Sequence, residues 1–235
     1  MIIRRFADYQ TLSSEAARTI AAQISAKPAT ILGLAAGKTP LGTYSELVRM
    51  HREDGLDFSR VAFFNLDEYE GLPADHPDSF TRFLKDNLLQ HINATKSNVH
   101  LLRSPSGSDV ESYCHSIEEL IRNAGGIDLQ ILGIGLNGHI AFNEPGSRFD
   151  SRTRVVTLAA SDASNTLRKA ITMGIATILD ARRILLLSSG ASKSDMLATA
   201  IQGPVTEAVP ASVLQRHPDV LVLTDSGGYS TDFKS

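Results

Sequence analysis

Five short apolar runs, at 30–34, 61–64, 129–132, 184–187 and 220–223, are what most constrain the fold of this chain. Each is four or five residues long and apolar on both faces. A strand that reads this way has both faces covered, as in a parallel sheet flanked by helices. Between the runs, apolar residues recur at helical spacing. Ala17, Ile20, Ala21 and Ile24 form one such set; Phe80, Phe83, Leu84 and Leu88 a second; Tyr113, Ile117, Leu120 and Ile121 a third. This alternation predicts one α/β domain over residues 1–235, with a single doubly wound, mostly parallel sheet and helices on both faces, Rossmann-like in layout. No internal repeat, charge block or linker interrupts it. Ligands of such sheets bind beyond the carboxyl ends of the strands.

Composition excludes several other classes. The formal charge of −3 lacks the basic footprint of a nucleic-acid binder. Hydrophobic residues at 42% and charged residues at 21% are globular values, not those of a disordered chain. Cys114 is the only cysteine, which rules out an internal disulfide and a cysteine-based zinc site; it reads as a small residue on a helix. No apolar run reaches 18 residues and the first residues lack a signal-peptide pattern. The expected setting is soluble, reducing and cytoplasmic, with no membrane and no nucleic acid as partner.

Polar residues and glycines follow four of the apolar runs. After the first comes Ala35-Ala36-Gly37-Lys38-Thr39-Pro40. Thr39 reads as a helix N-cap and Pro40 as the first helical position, with the helix running on through Met50. Free N–H groups at that helix start, approached closely through Gly37, predict an anion site suited to phosphate. Lys38 and Lys193 add charge from two sides, although Lys38 fits a solvated loop equally well. After the second run come Asp67 and Glu68. Successive strand side chains face opposite ways, so one of the two should face the cleft. A carboxylate at the dry end of an apolar strand has a raised pKa and suits a general base. After the third run come Asn137, His139, Asn143 and Glu144, where a carboxylate orienting an imidazole makes a proton shuttle. The other histidines show no metal spacing and are expected at the surface.

Two motifs mislead. Gly37-Lys38-Thr39 lacks the glycine spacing of a P-loop, and Pro40 follows it directly. Gly133-Ile134-Gly135-Leu136-Asn137-Gly138 matches a dinucleotide fingerprint, but Pro145 and Gly146 break the helix that the fingerprint requires.

With these segments in view, the chain resembles the glucosamine-6-phosphate deaminase family. The matching stretches are 32–41, 65–72, 132–147, Lys193 and 203–212, and the most specific is His139-Ile140-Ala141-Phe142-Asn143-Glu144-Pro145. The resemblance implies isomerisation and deamination of an amino-sugar phosphate to fructose 6-phosphate and ammonia, without metal or organic cofactor. It implies that His139 opens the sugar ring, with Asn137 and Glu144 setting its orientation and protonation. It implies that Asp67 moves the C2 proton to C1, and that Gly37, Lys38, Thr39 and Lys193 hold the phosphate. A galactosamine-6-phosphate deaminase, a 6-phosphogluconolactonase and a sugar-phosphate sensor are the alternatives.

The chain departs from the family pattern at Ala36, where Thr is usual, at Lys38, where Gly or Ser is usual, and at Asn137, where longer members carry Asp. The largest departure follows Ser164-Asn165, which runs almost directly into Thr166. The family has there an Asn-Ser-Arg-Phe-Phe stretch with a phosphate-binding Arg. Either the lid is shorter here or a segment is missing from the sequence as read; the second is favoured, since an open cleft would admit water. Val156 stands where allosteric members carry Lys, which predicts a monomer or small homo-oligomer with hyperbolic kinetics.

Overall fold

The computed structural model describes residues 1–103, 109–158 and 168–225. Strand β1 (Ile2–Phe6) leads into helix α1 (Tyr9–Ala26), which Asp8 caps by accepting from Thr11 N at 2.7 Å. Then follow β2 (Ile31–Leu34), α2 (Leu41–Asp54), β3 (Ala62–Asn65), β4 (Asp67–Tyr69), α3 (Phe80–Asn87), β5 (Val99–His100), α4 (Val110–Ala124) and β6 (Leu129–Gly133). The chain goes on through β7 (Arg154–Leu158), β8 (Arg168–Thr172), α5 (Ile175–Leu179), β9 (Arg183–Ser188), α6 (Ser194–Gln202) and β10 (Val220–Asp225). A 3₁₀ turn at Ala191–Lys193 precedes α6.

Seven strands form one parallel sheet in the order β1-β10-β9-β6-β2-β3-β5. The five apolar runs are its middle strands. Every residue of β2 and of β10 is buried, so alternating side chains on both faces are covered. Helix α1 buries Leu12, Ala16, Ala17, Ile20 and Ile24, one stripe at helical spacing, in the same core.

Two features lie beyond the sequence reading. The sheet has two further edge strands, β1 and β5. A second, three-stranded antiparallel sheet, β4-β8-β7, stands beside it. His217 corrects an expectation: it is buried, held by Ala181 O at 2.8 Å from its Nε2. Cys114 lies on a helix, α4, as expected, and is buried there. The short stretch at Ser164 to Thr166 lies outside the described residues. Among the described residues no helix is long and apolar enough to cross a membrane.

Candidate active site

Asp67 and Glu68 open β4, immediately beyond the carboxyl end of β3. The bend between the strands is fixed by Asn65, whose side chain donates to Asp67 O at 2.8 Å and accepts from Leu102 N at 2.6 Å. Both acids are buried, Asp67 at 7% exposure and Glu68 at 2%. Their surroundings differ completely. The Glu68 carboxylate accepts from Tyr69 N at 2.9 Å, Ser79 Oγ at 2.8 Å, Phe80 N at 3.1 Å and Thr81 N at 2.8 Å. It thereby satisfies first-turn amides of α3, where a negative charge is favoured. Asp67 has no such cradle. Burial, then the neighbouring Glu68 charge, push its carboxyl up to about 8, and no donor among the described residues offsets the rise.

The loop after β6 brings in His139. Gly135 N donates to His139 O at 2.9 Å, and the imidazole folds back over Gly135. A Cβ at Gly135 would fall 2.3 Å from His139 Cε1, so only glycine fits there. His139 Nδ1 lies 3.2 Å from Glu144 Oε1, within ion-pair reach but out of line for a hydrogen bond. The other Glu144 oxygen accepts from Asn137 Nδ2 at 2.6 Å, and Asn137 Oδ1 accepts from His139 N at 3.2 Å. Asn137, His139 and Glu144 thus form one assembly. Burial holds the imidazole pKa below its ordinary value; Glu144 raises it and Lys193 adds to the lowering. Asn143 has a structural task, donating to Ile140 O at 3.0 Å and Met173 O at 2.9 Å.

Thr172 ties this loop to Asp67. It stands opposite Asp67 in the β4–β8 register, and its Oγ1 accepts from Phe142 N at 3.1 Å. The rings of Tyr69, Phe80 and Phe142 pack against one another with centroids 5.2 to 5.7 Å apart, which seals the same junction. Nothing in the spacing of Thr172 marks it in the sequence.

Across the sheet edge, Lys193 Nζ donates to Thr39 Oγ1 at 3.3 Å. The Lys193 ammonium is half-buried, which lowers its pKa from the ordinary lysine value. Its turn is pinned by Asp225, which accepts from Ser189 Oγ and from Gly190 N. Gly37 turns the loop after β2 at φ +109°, and the Lys38 side chain is exposed.

The capping role expected of Thr39 is not observed. Pro40, at φ −80° and ψ −5°, takes the cap position, and its carbonyl accepts from Tyr44 N at 2.9 Å. The amides a Thr39 cap would serve are bonded elsewhere, and the Thr39 hydroxyl accepts from Lys193 instead. The first helix amides are also less free than expected. Leu41 N donates to Lys38 O at 3.4 Å and Gly42 N to Tyr9 Oη at 2.8 Å.

The structure therefore brings Lys193, Thr39 and His139 to one edge, and links Asp67 to the His139 loop through Thr172. Among the described residues no group of three His, Cys, Asp or Glu side chains is placed to hold a metal ion. A cleft of about 940 Å³, lined by Cys114, Glu118, Arg152 and Val155 among others, contains none of these residues.

Comparison with known proteins gives a consistent result. Residues 7–222 match the family described as glucosamine-6-phosphate isomerases/6-phosphogluconolactonase. A glucosamine-6-phosphate deaminase of Thermoanaerobacter pseudethanolicus is 47% identical over 230 residues, which cover 93% of this chain and 90% of that protein. A solved structure of a monomeric glucosamine-6-phosphate deaminase superposes with a TM-score of 0.92 at 42% identity, covering 97% of this chain and 98% of the other. The 6-phosphogluconolactonase of Trypanosoma brucei is more distant, at 26% identity and a TM-score of 0.76, with 96% of each chain covered.

Proposed function

This chain belongs to the family of glucosamine-6-phosphate isomerases and 6-phosphogluconolactonases, and on that footing we propose that it converts glucosamine 6-phosphate to fructose 6-phosphate and ammonia. The observation that carries the chemistry is the contrast inside β4: one buried carboxylate is fully engaged by donors, and Asp67 beside it is free to take a proton. In the reaction, the closed sugar must first open. His139, whose pKa burial lowers and whose Nδ1 lies within ion-pair reach of Glu144, moves the proton that opening requires. Asp67 then takes the proton from C2 and delivers it to C1, while O1 gains a proton and the amino nitrogen gives one up, so that C1 becomes a hydroxymethyl carbon and an imine is left at C2. Water adds to that imine and expels ammonia, giving the ketose.

The phosphate is assigned to the Gly37–Thr39 loop and Lys193. A half-buried ammonium near the loop supplies charge pairing that neutral amides lack. Lys38, which is exposed, is the peripheral member of the set. Work as a monomer or small homo-oligomer in the cytoplasm belongs to the same proposal, supported by the similarity to a monomeric deaminase.

Ammonia release from glucosamine 6-phosphate, measured beside galactosamine 6-phosphate and beside hydrolysis of 6-phosphogluconolactone, tests the reading. Ammonia should appear fastest from the glucosamine ester. Release from neither amino sugar, with lactone turnover instead, would overturn it.

A further inference from the structure

We propose that Tyr9, at the start of α1, is a positioning residue for the phosphate-binding loop; the inference rests on the assignment of that loop to the phosphate. The Tyr9 hydroxyl lies 3.1 Å from Lys38 O and 3.0 Å from Thr39 O, so it donates to the carbonyl edge of the loop. It also accepts from Gly42 N at 2.8 Å. One phenol thus fastens the loop and the first turn of α2 to α1.

The direction of those bonds matters more than their number. In a trans peptide the N–H points opposite to the C=O. Turning Lys38 O toward Tyr9 therefore turns the Thr39 N–H away from α1. A second phenol acts at the other end of the loop: the buried Tyr44 donates to Ala35 O at 2.6 Å. Between them the two tyrosines engage the carbonyls of residues 35, 38 and 39. An anion site needs its acceptors occupied elsewhere, and here three are; opposite two of them lie the N–H groups of Ala36 and Thr39, while Pro40 has none to offer.

The contact is built into the packing. A Cβ on Gly42 would fall 2.4 Å from Ser13 Oγ and 3.1 Å from Tyr9 Cε1. Only glycine lets the first turns of α1 and α2 approach closely enough for the hydroxyl to reach both partners. The Gly42 N–H faces α1, so losing the hydroxyl does not hand that amide to a ligand.

Tyr9→Phe removes the hydroxyl and keeps the ring. It should raise KM for glucosamine 6-phosphate about threefold to tenfold, the order of one lost hydrogen bond, with kcat changed less than twofold. The inhibition constant of inorganic phosphate should rise in parallel. A purely structural role would lower the melting temperature and the active fraction but would leave KM and phosphate inhibition where they are. Gly42→Ala, which separates the two helices while retaining the phenol, should move KM in the same direction. Lys193→Ala, measured alongside, separates the two readings. If Lys193→Ala raises KM and Tyr9→Phe leaves it unmoved, the inference about Tyr9 is overturned alone. If neither variant changes KM or phosphate inhibition, the phosphate assignment falls and the role of Tyr9 falls with it.

Discussion

The two faces of β4 carry the same functional group in opposite conditions. Glu68 points toward α3 and meets four donors, including two amides of its first turn. Asp67 points the other way, next to Thr172 of β8, and finds burial without donors. Hydrogen bonding to the charged form keeps a buried carboxylate ionised; burial alone drives it toward the neutral acid. One strand therefore carries one carboxylate engaged by four donors and a second, Asp67, that burial pushes up to about 8 and that is proposed above to transfer the proton. The pair teaches that buried acid is too coarse a category for reading a site.

The strongest way to break this comparison is to exchange the roles by mutation. Asp67→Asn should reduce kcat by about 10² to 10⁴, the usual contribution of a positioned acid or base, with KM little changed. Glu68→Gln should retain far more turnover. Steady-state kinetics on both variants decides. A larger loss from Glu68→Gln than from Asp67→Asn would reverse the assignment.

Stability should respond in the opposite order. Glu68→Gln leaves an amide NH₂ facing buried donors that have no other acceptor. Such a mismatch costs about 1–3 kcal/mol. For a domain of this size that corresponds to a fall in melting temperature of roughly 2–12 °C. An unchanged melting temperature would show that the cradle around Glu68 contributes little.

Much of this arrangement was legible in the sequence, and the exceptions have physical reasons. The five middle strands stood out because a strand covered on both faces carries apolar residues on both of them. β1 did not, since Arg4 and Arg5 interrupt an edge strand that is exposed over most of its length. β4 holds three residues, two of them acids, and becomes a strand only by pairing with β8, a hundred residues later. That small sheet is invisible to periodicity, yet it sets the orientation of Asp67. The opposite facing of Asp67 and Glu68 followed from strand geometry; which of them faced the site did not, because the donors come from α3. His139, Glu144 and Asn137 were recognisable as a group because one short loop carries them all. Thr172 and Tyr9 were not, because each acts through a contact that only the fold creates. Thr39 was misplaced as a cap because a following proline usually marks the first helical residue, whereas Pro40 here takes the cap itself.

The pH dependence sharpens the comparison further. In the proposed reaction Asp67 must be ionised to take the C2 proton, and burial pushes its carboxyl up to about 8. Activity should therefore fall as pH drops through that region, well above the ordinary carboxylate range. The acid limb of kcat/KM, followed from pH 5 to 9.5, reports this group in the free enzyme. Glu68→Gln removes one cause of the rise, the adjacent negative charge, and should move the limb to lower pH. A limb near pH 4 in the unmodified protein would contradict the environment described for Asp67.

The smallest effect is a stability difference whose sign is fixed by the same shift. The carboxyl of Asp67 binds its proton more tightly in the folded chain than in the unfolded one, because burial and Glu68 raise its pKa from 3.8 to about 8. Below about pH 4 both states hold the proton, and the group neither gains nor loses from folding. As pH rises from there toward 8, the unfolded chain ionises while the folded chain resists, so Asp67 costs the protein progressively more stability; above 8 the cost is constant. Asn at position 67 carries no charge and escapes it. Asp67→Asn should therefore melt above the unmodified protein at pH 9, by at least about 2–4 °C, the shift that 1 kcal/mol produces in a domain of this size. The gap should close as the pH is lowered toward 4. Glu68→Gln should melt lower than the unmodified protein at pH 9, since it loses the acceptor of a satisfied network. Thermal melts of the three proteins at pH 5, 7 and 9 give the answer. If Asp67→Asn melts lower at pH 9 than the unmodified protein, its carboxylate is held by donors after all, and the two faces of β4 are alike.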